Sequence, residues 1–143
     1  MSRESLIKDI WGVSVGIVSA FLILTYTLSV MPFIEELDSP KEPLIITNNK
    51  ASYCRTVKYN RDVNITIDKV LLQSIDNDSV VSISYPRSRV IREEGTKRIC
   101  KEMILPLELT EGKWLMRTFL TNKSFPFWTS TVELNKIDLI VKD

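Results

Sequence analysis

The chain has 143 residues, with 19 basic and 18 acidic side chains and no histidine, which excludes histidine-based triads, histidine–zinc sites and a histidine pH switch. Two cysteines are too few for a four-cysteine zinc site, and four glycines leave no phosphate-cradling loop of the GxGxxG or GxxxxGK kind. A net charge of +1 and a mean hydropathy close to zero look like one soluble domain, but the average hides a segregation along the chain.

No charged residue occurs between Asp9 and Glu35. Of the 25 residues from 10 to 34, 17 are apolar or aromatic. As a helix this stretch reaches roughly 37 Å, enough to cross a hydrocarbon core of about 30 Å with some tilt. A secretory signal has a shorter apolar core, and Thr27-Leu28-Ser29 is a poor substitute for a small-residue cleavage site. The sequence therefore predicts a short cytoplasmic N-terminus at 1–9 and a transmembrane helix at 10–34. Arg3 and Lys8 precede the helix, whereas Glu35, Glu36 and Asp38 follow it, so positive-inside bias puts the C-terminal part outside the cytoplasm. Gly12, Gly16 and Ala20 recur every four residues, a spacing that lets two helix backbones approach closely, with a second copy or another membrane protein. Residues 35–43 are charged and carry Pro40 and Pro43; they read as a short, stiff tether.

From residue 44 the texture changes to short β-branched and aromatic runs separated by Asn, Asp, Gly and Pro. Strands are expected at 44–47, 52–59, 63–75 with a division near Lys69, 79–85, 88–92, 97–107, 113–121 and 129–141. The last should carry a bulge at Asn135-Lys136. Period-two alternation is clearest in Val63-x-Ile65-x-Ile67, Val81-x-Ile83-x-Tyr85 and Trp114-x-Met116 continuing to Leu120. Asp76-Asn77-Asp78 and Glu93-Glu94-Gly95 read as hairpin turns. The expected fold is an all-β head at 44–143, an immunoglobulin-like antiparallel β-sandwich of seven to eight strands, on one N-terminal transmembrane helix.

Cys54 and Cys100 each fall inside an expected strand. In an extracytoplasmic head they form a disulfide; in a cytoplasmic one they are free thiols. Arg87, Arg89, Arg92, Lys97, Arg98 and Lys101 form a basic patch that a hairpin would concentrate on one edge. It suits anionic lipid headgroups, an acidic protein surface or a solvated edge that deters strand addition. It lacks the interleaved aromatics of an RNA-binding surface, so lipid and protein are the expected partners and nucleic acid is left open. Phe125, Phe127 and Trp128 lie in the most aromatic stretch of the head, a contact loop or a loop folded over the end of the sandwich. Asn64, Asn77 and Asn122 begin glycosylation sequons, which would matter for a type II cell-surface or viral-envelope glycoprotein. The carboxylates are scattered, so no catalytic residue, metal site or cofactor is expected.

With Cys54, Gly95, the run from Pro106 to Gly112 and Trp114, and Pro126, the layout resembles small single-pass membrane proteins of tailed bacteriophages. Phe125 stands where such chains often have Asn before the proline, and Cys100 has no match in the pattern. The resemblance implies a non-enzymatic protein of the virion or of the host inner membrane. In the virion it would work with the portal, tail or genome-ejection machinery.

The neutral average thus divides in two. Residues 1–43 carry 3 basic and 6 acidic groups, and residues 44–143 carry 16 and 12.

Overall fold

A computed structural model describes residues 2–106, 109–124 and 128–142, without the side chains of residues 29, 30, 124 and 128. The chain divides into two compact units, residues 1–31 with 123–130, and residues 32–122 with 131–143.

In the first unit, helix α1 spans Arg3–Val30. The Ser2 hydroxyl caps it by accepting a hydrogen bond from the Ser5 amide. The segment Arg3–Leu28 is long and apolar enough to cross a membrane. Three of its hydroxyls bond back to the helix: Ser14 donates to the carbonyl of Ile10, Thr25 to Phe21 and Thr27 to Ile23. Such back-bonding removes the cost of placing a free hydroxyl in hydrocarbon. The helix ends earlier than the expected residue 34. Pro32 forces the residue before it out of the helical region, and Met31 is extended, with φ −62° and ψ 134°. Phe33 and Ile34, expected in the membrane, are instead buried in the core of the second unit.

The strands form a two-sheet sandwich. One sheet has the order β1–β3–β7, with β1 Ile34–Asp38, β3 Lys50–Tyr59 and β7 Gly95–Ile104. The other has the order β2–β10–β8–β4–β5, with β6 also on β4 and β9 also on β8. Its strands are β2 Leu44–Ile46, β4 Val63–Ser74, β5 Val80–Ser84, β6 Ser88–Arg92, β8 Gly112–Ser124, β9 Trp128–Glu133 and β10 Ile137–Val141. The pairs β1–β3, β3–β7, β4–β5, β4–β6, β4–β8 and β8–β10 are antiparallel, and β2 runs parallel to β10.

The long strands β4 and β8 form the spine, and each is flanked by two short strands end to end. Tyr85-Pro86-Arg87 separates β5 from β6, since proline cannot donate to the ladder. Asn135-Lys136, expected as a bulge, is a full break between β9 and β10. There Leu134 turns into the core and its amide donates to the Thr118 carbonyl. Strand β4 is continuous through Lys69, where a division was expected.

Two further expectations are corrected. Residues 35–38 are part of strand β1 rather than of a tether, and Glu35 sits opposite Lys58 of β3. Charge on an edge strand protects it from further pairing, so the charged run that suggested a tether suits this edge equally. Glu93-Glu94-Gly95 is a crossover rather than a hairpin turn, because β6 and β7 belong to different sheets.

The Asp76 turn is as expected: the Ile75 amide donates to the Ser79 carbonyl, and Asp76 Oδ1 accepts from the amides of Asp78 and Ser79. Those bonds hold the Asp76 carboxyl below the usual carboxylate range.

Candidate functional site

Period-two alternation aims every second side chain of β3, β4, β7 and β8 between the sheets. The resulting core is in two clusters. One gathers Tyr53, Leu71, Met103, Trp114, Met116 and Leu139; the other gathers Phe33, Val57, Ile65, Ile67, Leu120 and Leu134. Between them the inward positions are polar. Arg55 lies between Tyr53 and Val57, Lys69 between Ile67 and Leu71, Lys101 between Ile99 and Met103, and Thr118 between Met116 and Leu120. The ladder aligns this layer: Lys69 is opposite Thr118, and Tyr53 is opposite Lys101. Arg92 enters from β6, opposite the inward-facing Val63.

These groups line a cavity of about 50 Å³. Arg55 Nη1 donates to Glu36 Oε2 at 3.0 Å and Arg55 Nη2 to the Asn135 carbonyl at 3.1 Å. Lys69 Nζ donates to the Tyr53 hydroxyl at 3.2 Å, and both Arg55 and Lys69 lie over the Tyr53 ring. Among the described residues, Lys69, Arg92 and Lys101 have no ion-pair partner. Arg92 Nε and Thr118 Oγ1 are buried without a hydrogen-bond partner.

Electrostatics follows from this geometry. Burial lowers the pKa of Lys69, and the Arg55 charge lowers it further. Lys101 is lowered by burial and by Lys69. Burial raises Tyr53, against the pull of Arg55 and Lys101. The layer is a set of donors and positive charge with no carboxylate among the groups lining the cavity.

The six cations expected as one patch are dispersed. Arg92 and Lys101 line the cavity, and Lys97 points inward opposite Val57. Arg89 and Arg98 are exposed on different sheets, and Arg87 pairs with Asp68 at 2.8 Å. The Cys54–Cys100 disulfide is formed, joining neighbouring strands β3 and β7 on the outward face of their sheet. Gly12, Gly16 and Ala20 lie exposed on α1, with open space above both glycines. Asn64 and Asn77 are exposed, whereas Asn122 is only 5% exposed and points into the sandwich. Phe125, Phe127 and the Trp128 side chain lie outside the described residues.

Arg55, Lys69, Thr118 and Glu36 were not singled out from the sequence. The available signal was the phase of the charges: Tyr53-x-Arg55-x-Val57 and Ile67-x-Lys69-x-Leu71 keep a cation on the apolar face.

No protein-family model matches the sequence, and no curated protein does. Solved structures resemble the fold distantly. The C-terminal domain of wzt is 13% identical with a TM-score of 0.49, covering 79% of this chain and 75% of that one. Spo0M, a sporulation control protein from Bacillus subtilis, is 13% identical with a TM-score of 0.45, covering 79% of this chain and 51% of its own, so the chain spans about half its length. A CARDB domain from Pyrococcus furiosus is 15% identical with a TM-score of 0.35, covering 76% of this chain and 90% of that one.

Proposed function

We propose that this is a single-pass membrane protein that displays a non-enzymatic binding head on the extracytoplasmic side. The observation that supports it best is the helix itself. Apolar side chains from Leu6 to Met31 are exposed around α1, an area far beyond what a soluble monomer leaves to water. The disulfide in the head is the mark of an oxidising compartment and agrees with the charge bias of Arg3 and Lys8. On the resemblance of its layout, the setting is a tailed phage, either in the virion or in the host inner membrane.

The test is topology in cells. The chain should sediment with membranes, resist carbonate extraction, and lose its head to protease added to spheroplasts. A chain in the soluble fraction, or a head protected from protease until the cells are lysed, overturns the reading. Mass spectrometry of purified particles and of host membranes decides the setting; absence from both removes the phage assignment.

A further inference from the structure

We propose that the cavity between the two sheets of the head is a binding site for one small oxyanion, a carboxylate or phosphate group. The proposal rests on the reading of the head as a binding module and names its ligand chemistry.

The argument is one of unbalanced charge. Arg55, Lys69, Arg92 and Lys101 line the cavity; among the described residues the carboxylate paired with one of them is Glu36, whose Oε2 bonds Arg55 while its Oε1 is buried without a hydrogen-bond partner. Three cations therefore remain without a counter-charge among the described residues. All three are half-buried, and a cation drawn partly out of water is stabilised by a counter-charge. Two groups add direction: Arg92 Nε and Thr118 Oγ1 are buried with no partner, in a fold that satisfies most of its polar groups.

Size and shape narrow the ligand. A volume of about 50 Å³ holds on the order of three or four waters, or one oxyanion group. The donors come from different strands, β3, β4, β6, β7 and β8, so an anion at their centre is bonded from several sides. The Tyr53 ring, over which Arg55 and Lys69 lie, shares an extensive apolar wall with Ile34, Val57, Ile67, Ile99, Leu120 and Leu134, so the cations border a largely apolar cavity. The lowered pKa of Lys69 and of Lys101 agrees with a charge cluster awaiting a counter-ion.

The test is calorimetric titration of the full chain in neutral detergent with inorganic phosphate, acetate and glycerol phosphate, with glycerol as the uncharged control. One saturable site is expected for the anions and none for glycerol. Lys69→Met and Lys101→Met should each weaken binding by about tenfold or more, the cost of losing one charged hydrogen bond. Arg89→Gln, on the outward face of the strand that carries Arg92, should leave it unchanged. Glycerol phosphate binding about tenfold tighter than phosphate assigns a lipid headgroup as the source; otherwise the source is a free anion. A measurement on the unaltered protein guards against misfolded variants: phosphate should protect Lys69 and Lys101, but not Lys113, from acetylation read by mass spectrometry. No saturable anion binding, equal loss in Arg89→Gln, or uniform lysine acetylation with and without phosphate overturns the proposal. Topology is read separately by protease, so the site and the membrane reading fail independently.

Discussion

Glu36 and Arg55, on neighbouring strands β1 and β3, form an ion pair at 3.0 Å with side chains only 7% and 6% exposed. The same Glu36 Oε2 accepts from the Asn135 amide at 3.0 Å, and Arg55 donates to the Asn135 carbonyl. One charged pair thus ties the first strand of the head to the break between β9 and β10. Removing one partner leaves a buried charge alone, which costs about 3–5 kcal/mol, whereas replacing both is often close to neutral. Glu36→Leu and Arg55→Met should each lower the urea midpoint strongly, and the double variant should recover much of the loss. Additive losses in the double variant would show that the two residues act separately.

The disulfide makes a second quantitative expectation. Cys54 and Cys100 are 46 residues apart in sequence and opposite one another in the ladder. Chain entropy makes such a bridge worth roughly 4 kcal/mol. Ten register pairs between β3 and β7 remain when it is cut, so reduction should lower the unfolding midpoint without abolishing the sheet. Far-ultraviolet circular dichroism with and without reductant checks both halves. Complete loss of β signal on reduction would mean that the ladder cannot hold without the bridge.

The turn between β2 and β3 is two asparagines, both left-handed, with φ 58° at Asn48 and 59° at Asn49. The Asn49 carbonyl also accepts from the Leu105 amide at 2.8 Å, so the turn holds the chain that leaves β7. Glycine adopts this backbone freely, whereas a β-branched side chain meets a penalty of about 1–2 kcal/mol. Asn49→Gly should be tolerated, and Asn49→Val should lower the thermal midpoint. Equal midpoints for the two variants would count against the strain argument.

What the sequence disclosed, and what it withheld, follows from what a period of two encodes. Val63, Ile65 and Ile67, and Trp114 and Met116, alternate against water, and they are buried in β4 and β8 as expected. Periodicity says that a segment is a strand but not which sheet it joins, so the crossover at Glu93-Glu94-Gly95 read as a hairpin and the basic residues as one patch. It also treats a charge as solvent-facing. Lys69 therefore looked like the end of a strand, although the ladder runs through it from Val63 to Ser74. Glu36 was illegible for the same reason, because the residue that makes its burial tolerable is Arg55, 19 positions away. The polar layer depends on pairing partners distant in sequence, and no local pattern encodes those.

The layer should also make stability depend on alkaline pH, with a sign opposite to that of a favourable ion pair. Lys69 and Lys101 have pKa values below their ordinary 10.5 in the folded head. Groups facing Lys69 are Tyr53 and Arg55 from β3, Lys101 from β7, Arg92 from β6 and Thr118 from β8; none of them is a carboxylate. Between the lowered values and 10.5 the unfolded chain binds more protons than the folded one, so stability rises with pH through that window. Tyr53 and Tyr85 are raised above 10.0 by burial, so above that pH the folded protein holds the extra protons and stability falls again. Thermal midpoints in anion-free buffer should therefore climb through the alkaline range below pH 10.0 and then turn over. Lys69→Met should flatten the climb, because it removes the more deeply desolvated of the two amines. Saturating phosphate should flatten it as well, by supplying the counter-charge that keeps both amines protonated. A climb of the same slope in Lys69→Met and in the unaltered protein would place its origin elsewhere in the head.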